Sequence, residues 1–75
     1  MNKECRERVN QLLGELENTK LELETIRDEE EEKYENIPES FQNGEQGERL
    51  QEIIESLEDA INQIEEAVDS LGEVI

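Results

Sequence analysis

The sequence contains no histidine, no tryptophan and a single cysteine, and each shortage removes a class of chemistry. Without histidine there is no Ser-His or Cys-His catalysis and no histidine-bearing zinc site. One thiol, Cys5, makes neither an internal disulfide nor a thiolate metal cage. With no general base to activate it, it reads as a seam residue or frayed-end thiol, not a nucleophile. No apolar run approaches the roughly 18 residues of a membrane span, and the opening residues lack a hydrophobic leader pattern. A cytoplasmic protein is expected. Basic residues are also scarce: seven Lys and Arg stand against 23 Asp and Glu, a net charge of −16. Such a charge opposes direct binding to DNA, RNA or an anionic bilayer, because each would repel it.

What is present points to helices. The 75 residues are too few for more than one domain. Ile, Leu, Val and Phe make up only 19 of them, close to the disordered class, but Ala, Glu, Lys, Leu and Arg make up 37, the composition of long helices and coiled coils. Turn residues are confined to one stretch, Asn36, Pro38, Ser40, Asn43, Gly44 and Gly47. Before it, Cys5, Val9, Leu12, Leu16, Thr19, Leu23 and Ile26 alternate steps of four and three, the spacing of a heptad seam. After it, Leu50, Ile54, Leu57, Ile61, Ile64, Val68, Leu71 and Ile75 do the same, and Ile53, Ala60, Ala67 and Val74 add a third apolar position per heptad.

The expected fold is all-α: a coiled-coil-like antiparallel hairpin of two helices. The first helix spans about residues 3–36, capped by Asn2, the loop about 37–46, and the second helix about 46–72. A register facing Tyr34 to Leu50, Leu23 to Ile61, Leu16 to Val68, Leu13 to Leu71 and Val9 to Ile75 meets apolar with apolar throughout. Ile37 and Phe41 are expected to cap the closed end. A stripe three residues wide on the second helix exceeds what one neighbour covers, so a homodimer forming a four-helix bundle is expected.

The charge is unevenly spread. Residues 1–27 carry six acids and five bases, residues 28–48 nine acids and one base, and residues 49–75 eight acids and one base. On the second helix, Glu48, Glu52, Glu55, Asp59, Glu66, Asp69 and Glu73 form a row opposite the apolar seam, flanked by Glu58 and Glu65, with Asn62 in its one gap. A solvated helix back explains the polarity of this row but not its single sign. Ordinary helix surfaces mix Glu with Lys, since like pairs cost about 0.2–0.5 kcal/mol each. The run Asp28, Glu29, Glu30, Glu31 and Glu32 reads as an extension of the same anionic surface. As a metal site it lacks a Glu-x-x-His motif, and consecutive helical residues fan around the axis. Glu29-x-x-Glu32 with Glu66-x-x-Asp69 is similar to the acidic pairs that hold magnesium in all-α nucleotide pyrophosphohydrolases, but the facing register sets the two pairs far apart. No catalytic residue, metal ligand or cofactor is assigned. Tyr34 and Phe41 are read as closed-end packing or as anchors for a partner.

From Ile26-Arg27-Asp28-Glu29-Glu30-Glu31-Glu32-Lys33-Tyr34-Glu35-Asn36-Ile37-Pro38-Glu39-Ser40, through Gln46-Gly47-Glu48-Arg49, into the acidic second helix, the chain resembles small uncharacterised acidic proteins of phages and prophages of Gram-positive bacteria. The resemblance covers about residues 26–71, and the Asn36–Ser40 turn is its most specific part. It implies a viral setting, and a host-cell cytoplasmic location, without assigning any functional residue. The expected function is stoichiometric inhibition of a basic, nucleic-acid-binding host protein by a DNA-mimicking carboxylate surface, as an anti-CRISPR or other anti-defence protein. The alternative is a structural coiled-coil module that only oligomerises.

Overall fold

In a computed structural model describing residues 1–75, the chain forms α1 (Lys3–Glu35) and α2 (Glu45–Gly72), joined by a loop with one 3-10 turn at Glu39–Phe41. The helices pack against each other as a hairpin with no strands. The molecule measures 58 × 14 × 12 Å, and its radius of gyration of 17.1 Å far exceeds the about 11 Å of a compact domain this size. It is a rod.

Local chemistry sets the ends of each element. The Asn2 side chain accepts the Cys5 backbone N–H at 2.8 Å, satisfying one of the free donors at the start of α1. At the other end Pro38 disfavours helical geometry at Ile37, and the chain turns after Asn36, whose N–H donates to the Glu32 carbonyl at 3.0 Å. Gly44 opens α2 without a side-chain cap, and Glu45 and Glu48 in its first turn complement the helix dipole. Gly47 is buried because the loop folds onto it. A Cβ there would run into the Gln42 backbone carbonyl.

The seam between the helices is thin. Only Ile37, Gly47, Leu50 and Ile61 are buried. Cys5, Val9, Leu16 and Leu23 turn half inward, as expected from their spacing. Leu12, Thr19 and Ile26 do not: all three are exposed, Leu12 by 54% and Ile26 by 43%. In their place Leu13, Lys20, Arg27 and Tyr34, each one residue further along, lie half-buried. The cause is the uneven width of the α2 stripe. Its Ile54, Ile61 and Val68 row offers more apolar area than its Ala60 and Ala67 row, so α1 sits toward the larger side chains. The aliphatic stems of Lys20 and Arg27 serve there as partial cover. The expected register holds near the closed end, where Gln51 donates to the Tyr34 hydroxyl at 3.0 Å, one residue from the Tyr34–Leu50 facing.

Phe41 departs from expectation. Ile37 does seal the closed end, but Phe41 is 66% exposed. The 3-10 turn directs Gln42 inward instead, where its amide donates to the Ile37 carbonyl at 3.3 Å.

Two glycines separate helix propensity from close packing. A Cβ at Gly14 meets nothing within 4 Å, so Gly14→Ala is expected to stabilise the fold by about 0.5–1 kcal/mol. Gly47→Ala forces the loop off α2 and lowers the melting temperature; equal melting for the two variants would contradict the loop geometry. Ile61, 5% exposed, is the most buried side chain. Ile61→Asp loses packing of about 2–5 kcal/mol and buries an unpaired carboxylate, so helical circular dichroism should collapse at 25 °C.

Candidate functional site

The most distinctive surface is the anionic one, and the wheel of α2 divides it sharply. Glu48, Glu52, Glu55, Asp59, Glu66, Asp69 and Glu73 are all exposed, as is Asn62 in the gap of the row. Only Glu52 has a basic neighbour within bonding distance, Arg49 at 3.4 Å. Glu58 and Glu65 extend the acidic surface to the flank beside Ile54, Ile61 and Val68. The other flank, beside Ile53, Ala60, Ala67 and Val74, is bordered by Arg49, Ser56, Gln63 and Ser70, with no acid among them. Thus beyond Glu52 the acids of α2 cover its back and one side only.

The closed-end run does not form one face. Glu29 and Glu32 are exposed, and Asp28 binds the Arg27 guanidinium at 3.1 Å. That hydrogen bond, ahead of the charges of Asp28, Glu31 and Glu24, raises the Arg27 pKa above its ordinary value. Glu30 turns sideways to Lys33 at 2.9 Å and lines an open groove with Ile37, Phe41, Arg49 and Leu50. Glu31 lines a smaller groove on the opposite side with Tyr34, Gln51, Ile54 and Glu55. Consecutive residues on a helix diverge by about 100°, which distributes the run around α1. No group of three or more acidic or cysteine side chains converges to hold a metal ion, and the Glu29/Glu32 and Glu66/Asp69 pairs stay apart. Tyr34, half-buried and accepting from Gln51, belongs to the helix–helix seam, whereas Phe41 is the one aromatic side chain left free.

The exposed Leu12 and Ile26 were not anticipated as surface residues. The signal for them lay on the other helix, in the small Ala60 and Ala67 and their uncharged border. No helix is long and apolar enough to cross a membrane. Compared with protein-family models, curated proteins and solved structures, the chain matches none.

The ion pairs have a testable consequence. All four, Lys20–Glu24, Arg27–Asp28, Lys33–Glu30 and Arg49–Glu52, lie within one helix and none joins the two. Screening therefore removes much repulsion and little attraction. Raising sodium chloride from low millimolar to about 0.5 M should lift the melting temperature by about 5 °C or more, the shift expected for roughly 1 kcal/mol in a domain this small. A melting temperature that falls with salt would show local ion pairs controlling stability.

Proposed function

We propose that the protein is a stoichiometric, non-enzymatic inhibitor that captures a basic, nucleic-acid-binding protein through the carboxylates of α2. The observation supporting this reading is the exposed acidic row, which faces away from α1 and has one nearby base. Its acids recur every three or four residues, about 5 Å of helix axis. A DNA strand presents a phosphate every 3.4 Å or so of its own axis. A Lys- and Arg-lined groove shaped for a phosphate backbone would meet a comparable line of charge, drawn in by long-range attraction and strongly sensitive to salt. In the viral setting implied by the resemblance, the target is a host defence nuclease or CRISPR effector, which would make this an anti-defence protein acting in the host cytoplasm.

The second reading is a structural module that associates through its apolar stripe alone, favoured by the exposure of Leu12 and Ile26. Changing Glu52, Glu55 and Asp59 together to Gln, Gln and Asn distinguishes the two. All three are exposed, so helical content should hold or rise as like-charge repulsion is relieved. Proteins retained from host lysate by the unmodified chain should be basic and released by added duplex DNA. The triple variant should bind them about ten- to a hundredfold more weakly at low salt, from roughly 0.5–1 kcal/mol per lost exposed charge pair. Unchanged affinity and salt dependence, with loss of binding in Leu57→Asp instead, would favour the structural module.

A further inference from the structure

We infer that a second copy of this chain covers the side of the hairpin where Leu12, Thr19 and Ile26 of α1 lie next to Ile53, Ala60 and Ala67 of α2, and that it packs with its loop at the opposite end. This goes beyond the capture reading and does not depend on it, because of the acidic row only its first members, Glu48 and Glu52, reach the groove on this side.

The two rows share one side. The larger groove joins Glu30 and Lys33 of α1 to Gln46 and Arg49 of α2. Heptad steps back from Lys33 give Ile26, Thr19 and Leu12, and steps forward from Gln46 give Ile53, Ala60, Ala67 and Val74. The smaller groove joins Tyr34 to Ile54 on the opposite side, the one already covered by Lys20 and Arg27. On the open side Leu12, Ile26 and Val74 are 54%, 43% and 44% exposed. Thr19 suits an apolar contact because its hydroxyl already donates to the Glu15 carbonyl at 2.9 Å.

The area matches a second copy. The chain exposes 5758 Å². A compact monomer of 8.8 kDa exposes about 4,800 Å². The excess of about 1,000 Å² belongs to the whole 58 Å rod, and a standard interface of about 1,200–2,000 Å² would take about 600–1,000 Å² from each copy.

The pattern on this side is self-complementary when reversed. Two antiparallel copies of α1 centred on Thr19 place Leu12 against Ile26 of the second copy. Two antiparallel copies of α2 centred between Gln63 and Ile64 place Ala60 against Ala67 of the second copy, and Ile53 toward Val74 in the turn that follows α2 of the second copy. Small thus meets small at the middle and large meets large at the ends. With Tyr34 beside Gln51, the two centres fall at nearly the same height along the hairpin, so one twofold axis serves both.

Charge selects the same orientation. The α2 acids of this side, Glu45, Glu48 and Glu52, are confined to the closed end, and beyond Arg49 the border is uncharged Ser56, Gln63 and Ser70. On α1, reversal places Arg8 beside Glu29 of the second copy at both ends and leaves Glu15 and Glu22 as the like-charged neighbours. It also separates the two closed ends, each with nine acids and one base over residues 28–48, by most of the 58 Å length. That is several Debye lengths, whereas the parallel arrangement would hold them side by side.

The single cysteine makes the orientation measurable. In the reversed dimer Cys5 lies at opposite ends of the two copies, while position 19 meets itself. The unmodified protein should sediment at twice 8.8 kDa at 100 µM and give no disulfide-linked dimer under mild oxidation with oxidised glutathione. Cys5→Ser combined with Thr19→Cys should convert mostly to disulfide-linked dimer. Cys5→Ser combined with Leu21→Cys, exposed on the far side of α1, should convert at least tenfold more slowly. Efficient linkage through Cys5, equal linkage at positions 19 and 21, or a sedimentation mass of 8.8 kDa for the unmodified protein would each overturn the proposal.

Discussion

The width of the apolar stripe on α2 is the constraint from which the remaining structure follows. Three apolar positions per heptad span more of the helix surface than one neighbour covers, so α1 must choose a side. It takes the side of Ile54, Ile61 and Val68, where burial yields more free energy than over Ala60 and Ala67. That choice turns Leu13, Lys20, Arg27 and Tyr34 toward α2 and turns Leu12, Thr19 and Ile26 away. It also explains why so elongated a molecule buries only three hydrophobic side chains, Ile37, Leu50 and Ile61. A hairpin with this little burial has a small margin against its own conformational entropy.

Electrostatics act on that small margin. Every acid of the α2 row is exposed, so none incurs the desolvation cost of burial, and their mutual repulsion is reduced by water and salt. The repulsion is still unopposed by any ion pair between the helices. Lys20, Arg27 and Lys33 of α1 are used locally, by Glu24, Asp28 and Glu30, and Lys3, Arg6 and Arg8 form no ion pair with α2. A chain selected for stability alone would have mixed signs on this surface. The single-sign row is a cost to folding, which is the physical reason to look for its use outside the fold.

Much of this architecture was legible in the sequence because it depends on local signals. The four–three spacing, the Asn2 cap, the Pro38 stop and the turn cluster place both helices within a residue or so at each boundary. The facing of Tyr34 with the start of α2 followed from matching apolar positions. The rotation of α1 about its axis was not legible. Cys5, Val9, Leu12 and Leu16 fit a seam centred on either side of Val9, and only the relative bulk of the α2 rows decides between them. The orientation of Phe41 was hidden for a similar reason. A 3-10 turn and a helical turn direct the same side chain differently, and Gln42, with carbonyls to bond, takes the inward place. Charge counted along the chain makes the closed-end acids one surface. On the helix they diverge, Glu30 to one groove and Glu31 to the other.

The same wheel keeps the acidic and apolar surfaces of α2 apart. On α2 the acids occupy the back and the flank beside Ile54 and Ile61, while the flank beside Ala60 and Ala67 is bordered by Ser56, Gln63 and Ser70. A surface that merely needed solvation would have no reason to leave one border without an acid beyond Glu52. If both borders were acidic, bringing two copies together there would concentrate like charge at the rim and cost several kcal/mol through juxtaposition. If both borders were neutral, the anionic surface would narrow to the helix back and lose Glu58 and Glu65. Segregating the charge to one side lets a single 28-residue helix present an apolar contact and a continuous anionic surface at once. Association through the first would therefore increase the second: two hairpins joined on the sides of Ala60 and Ala67 would carry two acidic rows outward, on a body wider and stiffer than either hairpin alone.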